Sequence, residues 1–228
     1  MSIFLTVTAS CAKCGAETEV DLAASVNADR RPDLREEILD GRFQATKCRE
    51  CAELLRLPAH LTYIDIRRQQ WILVQSTDEI EQWRTHETDA RAIFEQNFGA
   101  GVPKFLREMS EGITPRLVFG WPALREKLVA ADLALDDAIL EMLKISIMRD
   151  VRGAPIADEA ELRLISGEAD RLRFCWLDSR TEQFLVNLEV PRGAYDDIVR
   201  EAEGWASLRA DFTGKLFVDV KRLLVGAD

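Results

Sequence analysis

The chain has 228 residues, of which 47% are hydrophobic and 31% are charged, and its formal net charge is −10. This composition is typical of a folded globular protein and argues against a disordered or membrane protein. An acidic surface repels nucleic-acid phosphates, so the charge argues against nucleic-acid binding as the main function.

The first residues of the chain predict a strand and not a targeting segment. Residues 1–10 lack the basic start and apolar run of a signal peptide, and no later stretch approaches the roughly 20 apolar residues of a membrane span. We therefore expect a cytoplasmic location. Residues 3–9 alternate and are rich in β-branched side chains, which predicts a strand that leads into the first cysteine pair.

Four of the five cysteines form two matched Cys-x-x-Cys pairs, Cys11 with Cys14 and Cys48 with Cys51. Each pair directs two thiolates to one point, and two pairs together supply the four-sulfur cage that zinc prefers. The sequence therefore predicts a structural Zn²⁺ site with these four ligands. In a reducing compartment the alternative is a redox-active dithiol, but thioredoxin-like pairs begin a helix, whereas both pairs here lie between predicted strands.

The segment between the cysteine pairs is longer than a compact four-cysteine site needs. It contains 33 residues, against about 15 to 20 in typical sites. A strand is predicted at residues 17–25 and a short helix at 32–40, with Pro32 in the first turn and Gly41 at the end. The helix accounts for the extra length. Strands at 54–59, 61–66 and 71–75 complete a zinc-ribbon-like β module over residues 1–76.

Helical periodicity dominates residues 77–150. Apolar residues recur at helical spacing from Asp78 to Phe98, and shorter helices are predicted near Pro103, after Trp121-Pro122 and after Asp136, which is a good N-cap. The last of these helices is apolar on most sides. We expect it to be central, covered by the carboxyl-terminal domain and by a partner.

The pattern changes to alternation after residue 150. Strands are predicted at 161–165, 171–177, 182–190 and 215–223, with a helix from Tyr195 to Trp205 before the last of them. The sequence therefore predicts an α+β chain in three parts: a zinc-ribbon-like module at 1–76, a helical segment at 77–150 and an antiparallel sheet with a packed helix at 151–228.

Several motifs follow one another in the first part of the chain: Cys11-x-x-Cys14-Gly15, Val26-Asn27-Ala28-Asp29, Pro32-Asp33-Leu34 with Ile38-Leu39-Asp40-Gly41, Cys48-x-x-Cys51, Leu61-Thr62-Tyr63-Ile64-Asp65 and Trp71-Ile72-Leu73-Val74. Together they resemble the CpXC family of bacterial and archaeal proteins. Residues 117–144 are similar to the segment that follows in full-length members. Ala12 and Arg49 stand where the family usually has proline, which stiffens the turn but contributes no metal ligand. The resemblance implies the architecture and no particular activity.

No residues form a catalytic constellation. The sequence has no phosphate-binding glycine loop, no His-Glu-x-x-His and no nucleophile elbow, and neither His60 nor His86 has ligand spacing from a cysteine pair. We therefore expect a non-catalytic interaction or adaptor protein that binds a protein partner or another copy of itself. The alternatives are a nucleic-acid-binding ribbon, suggested by Arg30-Arg31 and Arg67-Arg68, and a dithiol redox protein.

Overall fold

The computed structural model describes residues 1–150, 160–201 and 203–225. Residues 151–159, 202 and 226–228 of the predicted carboxyl-terminal domain lie outside this part. The chain forms two compact units: unit 1 comprises Met1–Ser76 and Thr88–Trp121, and unit 2 comprises Thr77–Glu87 and Pro122–Asp228. The predicted division at residues 76 and 150 stays a prediction.

Unit 1 is built on a five-stranded mixed sheet. Its strands are β1 (Ile3–Ser10), β2 (Glu17–Asn27), β5 (Leu61–Asp65), β6 (Gln70–Gln75) and β7 (Thr114–Phe119), in the order β1-β2-β5-β6-β7. The pairs β1/β2 and β5/β6 are antiparallel, whereas β2/β5 and β6/β7 are parallel. Four of the five predicted ribbon strands therefore share one sheet with a strand from beyond residue 76, whereas the strand predicted at 54–59 is shortened to Leu54–Arg56 and pairs with Ala45–Lys47 in a separate sheet.

Strand β6 lies in the core of unit 1. Every residue of β6 is buried, as expected for a strand that is covered on both faces. Short elements complete the unit: helix α1 (Pro32–Leu39), strands β3 (Ala45–Lys47) and β4 (Leu54–Arg56), the part of helix α2 (Trp83–Phe98) from residue 88, and α3 (Lys104–Met109). Phe94 of α2 packs edge-on against Trp71, with ring centroids 5.4 Å apart.

A buried carboxylate fixes the turn between β5 and β6. Asp65 accepts hydrogen bonds from the Arg68 backbone N–H at 3.1 Å and from the Arg68 guanidinium at 2.9 Å. Arg35 of α1 lies 3.8 Å away, and the Tyr63 hydroxyl donates to the same carboxylate. Because burial without a partner would be costly, these donors explain why an aspartate is stable there. The residue holds the turn.

Unit 2 combines an antiparallel sheet with helices. Strands β8 (Ala160–Gly167), β9 (Arg171–Asp178) and β10 (Phe184–Pro191) pair in the order β10-β9-β8. The helices are α4 (Trp121–Asp132), α5 (Asp137–Asp150), α6 (Arg192–Arg200), α7 (Ala206–Phe212) and α8 (Lys221–Leu224), with a 3₁₀ turn at Thr77–Gln82. The Asp136 carboxylate accepts from the Ile139 backbone N–H at 3.0 Å, which confirms the predicted cap of α5.

Helix α5 is central to unit 2, as its sequence predicts. Its buried apolar residues pack with Leu164, Phe174 and Trp176 of the sheet and with Tyr195 and Ile198 of α6. The predicted α+β class with a carboxyl-terminal antiparallel sheet and packed helix is therefore confirmed. Ile145 and Met148 of this helix are only partly buried, and the partner predicted to cover it stays a prediction.

The predicted fourth strand at residues 215–223 is wrong. Leu216, Phe217 and Val218 are buried in succession instead of alternating, and residues 221–224 form α8. The backbone N–H groups of Leu216 and Phe217 donate to the Glu87 carboxylate at 2.7 and 3.1 Å. The Glu87 carboxylate thus accepts the hydrogen bonds that a neighbouring strand would otherwise accept. The backbone N–H groups of this apolar segment are therefore satisfied although the segment does not join the sheet.

The predicted helix at Tyr195–Trp205 is also corrected. Helix α6 spans Arg192–Arg200, and α7 begins only at Ala206. The Glu201 N–H still bonds to the Asp197 carbonyl at 2.8 Å, but Glu201 itself leaves helical geometry with ψ 39°. The helical spacing of apolar residues continues across this break, because Trp205 and Leu208 pack on the same core as Ile198.

Candidate metal centre

The first cysteine pair lies in a tight turn between β1 and β2. The Cys11 N–H donates to the Ala16 carbonyl at 2.9 Å, and the Gly15 N–H donates to the Cys11 carbonyl at 2.8 Å. Gly15 has a φ of +72°, a conformation that glycine adopts without steric cost. This backbone reversal turns both thiols of the pair to the same side.

The second pair repeats the first turn between β3 and β4. The Cys48 N–H donates to the Glu53 carbonyl at 2.8 Å, and the Ala52 N–H donates to the Cys48 carbonyl at 3.0 Å. Ala52 follows the second cysteine as Gly15 does, and its φ of 59° is also left-handed. The matched sequence pairs therefore form matched backbone turns, even though the second turn has no glycine.

The structure brings all four predicted cysteines together. The Sγ atoms of Cys11 and Cys51 are 3.6 Å apart, as are those of Cys14 and Cys48, and all four lie within 4.8 Å of one another. A tetrahedral zinc site with Zn–S bonds of about 2.3 Å has S···S distances of about 3.8 Å. The four thiols are free, and these distances greatly exceed a disulfide bond.

The thiols of the cluster differ in acidity. Backbone N–H groups of Cys14 and Lys13 lower the pKa of Cys11 to about 7. The Ala16 N–H lowers the pKa of Cys14, but the neighbouring Cys51 thiol and desolvation outweigh it and raise the pKa to about 12. The Cys11 thiol therefore ionises near neutral pH, whereas the Cys14 thiol keeps its proton unless a cation binds. This is the donor chemistry of a thiolate metal site, in which binding releases protons.

The surroundings of the cluster link the two turns. Lys13 of the first turn and Glu53 of the second form an ion pair at 3.0 Å. Cys11, Cys48 and Leu55 make a small buried cluster with Ala16 and Cys51 packed against it. These few apolar contacts contribute little to the stability of the two turns. We therefore expect the stability of this end of unit 1 to depend on the interaction that holds the four sulfur atoms together.

A model of the CpXC protein family matches residues 9–144. This match covers more than half of the chain and all four clustered cysteines. The chain belongs to the CpXC family. The resemblance seen in the sequence motifs is thereby confirmed. No curated protein and no solved structure matches the chain.

The other cysteine and the histidines are not members of the four-cysteine cluster. Cys175 is fully buried in β9, where desolvation raises its pKa, and its thiol contacts the Trp176 carbonyl at 3.1 Å. His86 lies 3.2 Å from Glu79, and His60 is exposed.

Among the described residues, no helix has the length and apolar character to cross a membrane.

Sequence reasoning missed a second polar cluster, which lies buried in unit 2. Glu126, Glu141 and Asp219 bring one carboxylate oxygen each within 4.8 Å of the others. Lys144 bonds to Glu126 and Glu141 at 2.9 and 2.8 Å, and Arg163 bonds to Glu126 and Asp219 at 2.8 and 2.5 Å. These cations take the position of a metal ion, so the cluster is an ion network of the core.

The ion network extends over four elements of unit 2. Arg163 also bonds to Glu161 at 2.8 Å, and Lys221 of α8 bonds to Glu161 at the same distance. The Leu164 N–H donates to Glu126. The only sequence signal was the charged Glu141 and Lys144 within a helix that is otherwise apolar on most sides. Buried charges of this kind are tolerated only when each is paired.

Glu141 predicts a pH dependence of stability. Desolvation raises its pKa to about 7, although Lys144 opposes the shift, whereas an unfolded glutamate titrates near 4.5. Between these two values only the unfolded chain releases the proton, so the free energy of unfolding falls as pH rises from 4.5 to 7. The charged groups that act on it are Lys144, Asp219, Glu126 and Lys127.

We expect the substitution Glu141→Gln to abolish the fall in the free energy of unfolding between pH 4.5 and pH 7. Relative to the wild type, the variant should gain roughly 1–3 kcal/mol of stability between pH 5 and pH 8. Urea unfolding at a series of pH values measures the difference. Parallel pH curves for the two proteins would contradict the assigned protonation. Asp219 does not interfere, since Arg163 helps to hold its pKa below the usual value and its titration lies at more acidic pH.

Proposed function

We propose that the four-cysteine cluster binds one structural Zn²⁺ ion and that the protein is a non-catalytic interaction module. The observation that carries the metal assignment is the approach of four thiols from two matched turns to within 4.8 Å. All-sulfur sites of this size prefer zinc. Because four protein ligands complete a tetrahedral ion, no coordination position is left for a substrate.

Exposed strand edges support the interaction role. Strand β1 is at one edge of the unit 1 sheet and exposes Ile3 and Leu5, while β10 is at one edge of the unit 2 sheet and exposes Phe184, Leu185 and Val186. Unpaired strand edges with apolar side chains are surfaces to which other chains add strands. The partner is another protein or a second copy of this chain.

The structure does not favour the two alternatives. Of the arginines that suggested nucleic-acid binding, Arg31 pairs with Asp33 at 2.6 Å, Arg67 with Asp29 at 3.7 Å and Arg68 with Asp65 at 2.9 Å. Their charges are therefore largely neutralised. Sulfur contacts of 3.6 Å join cysteines of different turns, whereas a redox Cys-x-x-Cys pair closes within one turn.

Elemental analysis with thiol counting tests the metal assignment. Purified protein is expected to contain about one zinc per chain, with the four cluster thiols becoming reactive only after chelation. The Cys175 thiol should stay protected until the protein unfolds, because it is fully buried. Protein without metal, with a disulfide that is readily reduced and reformed, would overturn the proposal in favour of a redox function.

A further inference from the structure

Strand β2 has an edge that no other strand covers over most of its length. On one side it pairs with β1 from Glu17 to Ser25, but on the other it pairs with β5 only from Ser25 to Asn27. In the described part of the chain, no strand lies beside Glu17–Leu22 on that second side. We call this stretch the open edge.

The side-chain amide of Gln44 forms strand-like hydrogen bonds with the β2 backbone at the end of the open edge. Its side-chain Oε1 accepts from the Ala23 N–H at 3.0 Å, and its Nε2 donates to the Asp21 carbonyl at 2.9 Å. One residue of a parallel strand would bond to the same two groups, so the Gln44 amide occupies the position of a strand neighbour. The backbone groups of Glu17 and Glu19 point the same way, because alternate residues of a strand face the same side.

A groove adjoins the open edge. Its cavity volume is about 430 Å³, which is within the range of ligand pockets, and its apolar lining includes Phe4, Leu34 and Phe43. The acidic side chains of Glu19, Asp21 and Glu37 also line it. The groove has room for side chains of a strand placed on the edge.

The charges of this surface are predominantly acidic. Glu17, Glu19 and Asp21 are exposed on one face of β2, and within the described residues no salt bridge joins Glu17 or Glu19 to a basic side chain. The two arginines that line the groove, Arg31 and Arg42, are paired with Asp33 at 2.6 Å and Asp40 at 2.7 Å. The open edge therefore presents an alternating row of carboxylates.

We propose that the open edge and its groove bind an extended basic segment of a partner protein. The segment adds as a strand beside Glu17–Val20, up to the position that the Gln44 amide occupies, and lysine or arginine at alternate positions faces the three carboxylates. A second copy of this edge is disfavoured, because its own acidic row would face like charges. This inference names the partner chemistry of the proposed interaction function and rests on it.

Fluorescence anisotropy with a labelled eight-residue peptide of alternating lysine and threonine tests the inference on the full zinc-containing chain. The matched variants are Glu19→Gln and Glu19→Pro. Both remove the charge, but only proline removes the backbone N–H on the open side, where an edge strand tolerates it. We expect wild type to bind, Glu19→Gln to bind more weakly, and Glu19→Pro to lose about a further tenfold in affinity.

Three results would overturn the inference. They are no binding by the wild type, equal affinity of the glutamine and proline variants, or equal binding of a peptide of alternating glutamate and threonine. Self-association measured by light scattering without peptide, and abolished in Glu19→Pro, would assign the edge to a second copy instead. Zinc is quantified in the same samples: metal-free protein refutes the proposed function, whereas zinc-containing protein without peptide binding refutes only this inference.

Discussion

Cys48→Ala is expected to release the metal and to destabilise the protein by at least about 3 kcal/mol. Cys48 is only 2% exposed, and its turn is held mainly by its own backbone hydrogen bonds and the sulfur cluster. Loss of one of four ligands lowers zinc affinity and leaves three thiols crowded together. Chemical denaturation and zinc quantification of the variant measure both effects.

Cys175→Ala is the matched control, because it deletes the same sulfur atom from a site in unit 2 that is equally buried and is not part of the four-cysteine cluster. It should keep its zinc and lose only about 1 kcal/mol, the cost of a small cavity. If the two alanine variants lost equal stability and both kept their zinc, the cluster would be an ordinary part of the core.

Arg163→Met is expected to destabilise unit 2 by about 3–5 kcal/mol. Arg163 is 3% exposed and bonds to three buried carboxylates, those of Glu126, Glu161 and Asp219. Methionine fills similar volume but provides no charge, so the carboxylates must protonate or take up water. Urea unfolding at pH 7 gives the change in the free energy of unfolding.

The control is Arg173→Met on the neighbouring strand β9. Arg173 pairs with Glu168 and Glu189 at 3.3 Å, but the side chains are about half exposed, so the variant should lose less than about 1 kcal/mol. If Arg163→Met is insoluble, Arg163→Lys, which keeps the charge without the forked geometry, should show a smaller loss. Similar stabilities for all three variants would contradict the role given to the buried network.

The four-cysteine cluster was predictable because its determinants are local. Each Cys-x-x-Cys turn is specified by a few adjacent residues, and only the approach of the two turns depends on the fold. The segment between Cys14 and Cys48 folds into β2, α1 and β3, so the approach of the turns cannot be derived from the cysteine spacing alone. The position of Ala52 in a left-handed conformation was not predictable, since alanine gives no signal for positive φ.

The conformation of residues 215–223 and the buried ion network were not predictable, because both depend on contacts between residues that are distant in sequence. Residues 215–223 have the composition of a strand, but Glu87 and Glu141 bond to their backbone N–H groups and hold them outside the sheet. Glu126 likewise meets Arg163 and Lys144 only after α4, α5 and β8 assemble. Periodicity reports which face of an element is apolar, and it contains no information about such charge pairing.

X-ray absorption at the zinc edge of the purified chain tests the central claim most directly. The account predicts one zinc environment with four sulfur neighbours at about 2.3 Å and no nitrogen or oxygen in the first shell. Absence of a zinc edge, or a shell with fewer than four sulfur atoms, would contradict the assignment of Cys11, Cys14, Cys48 and Cys51 as the metal ligands.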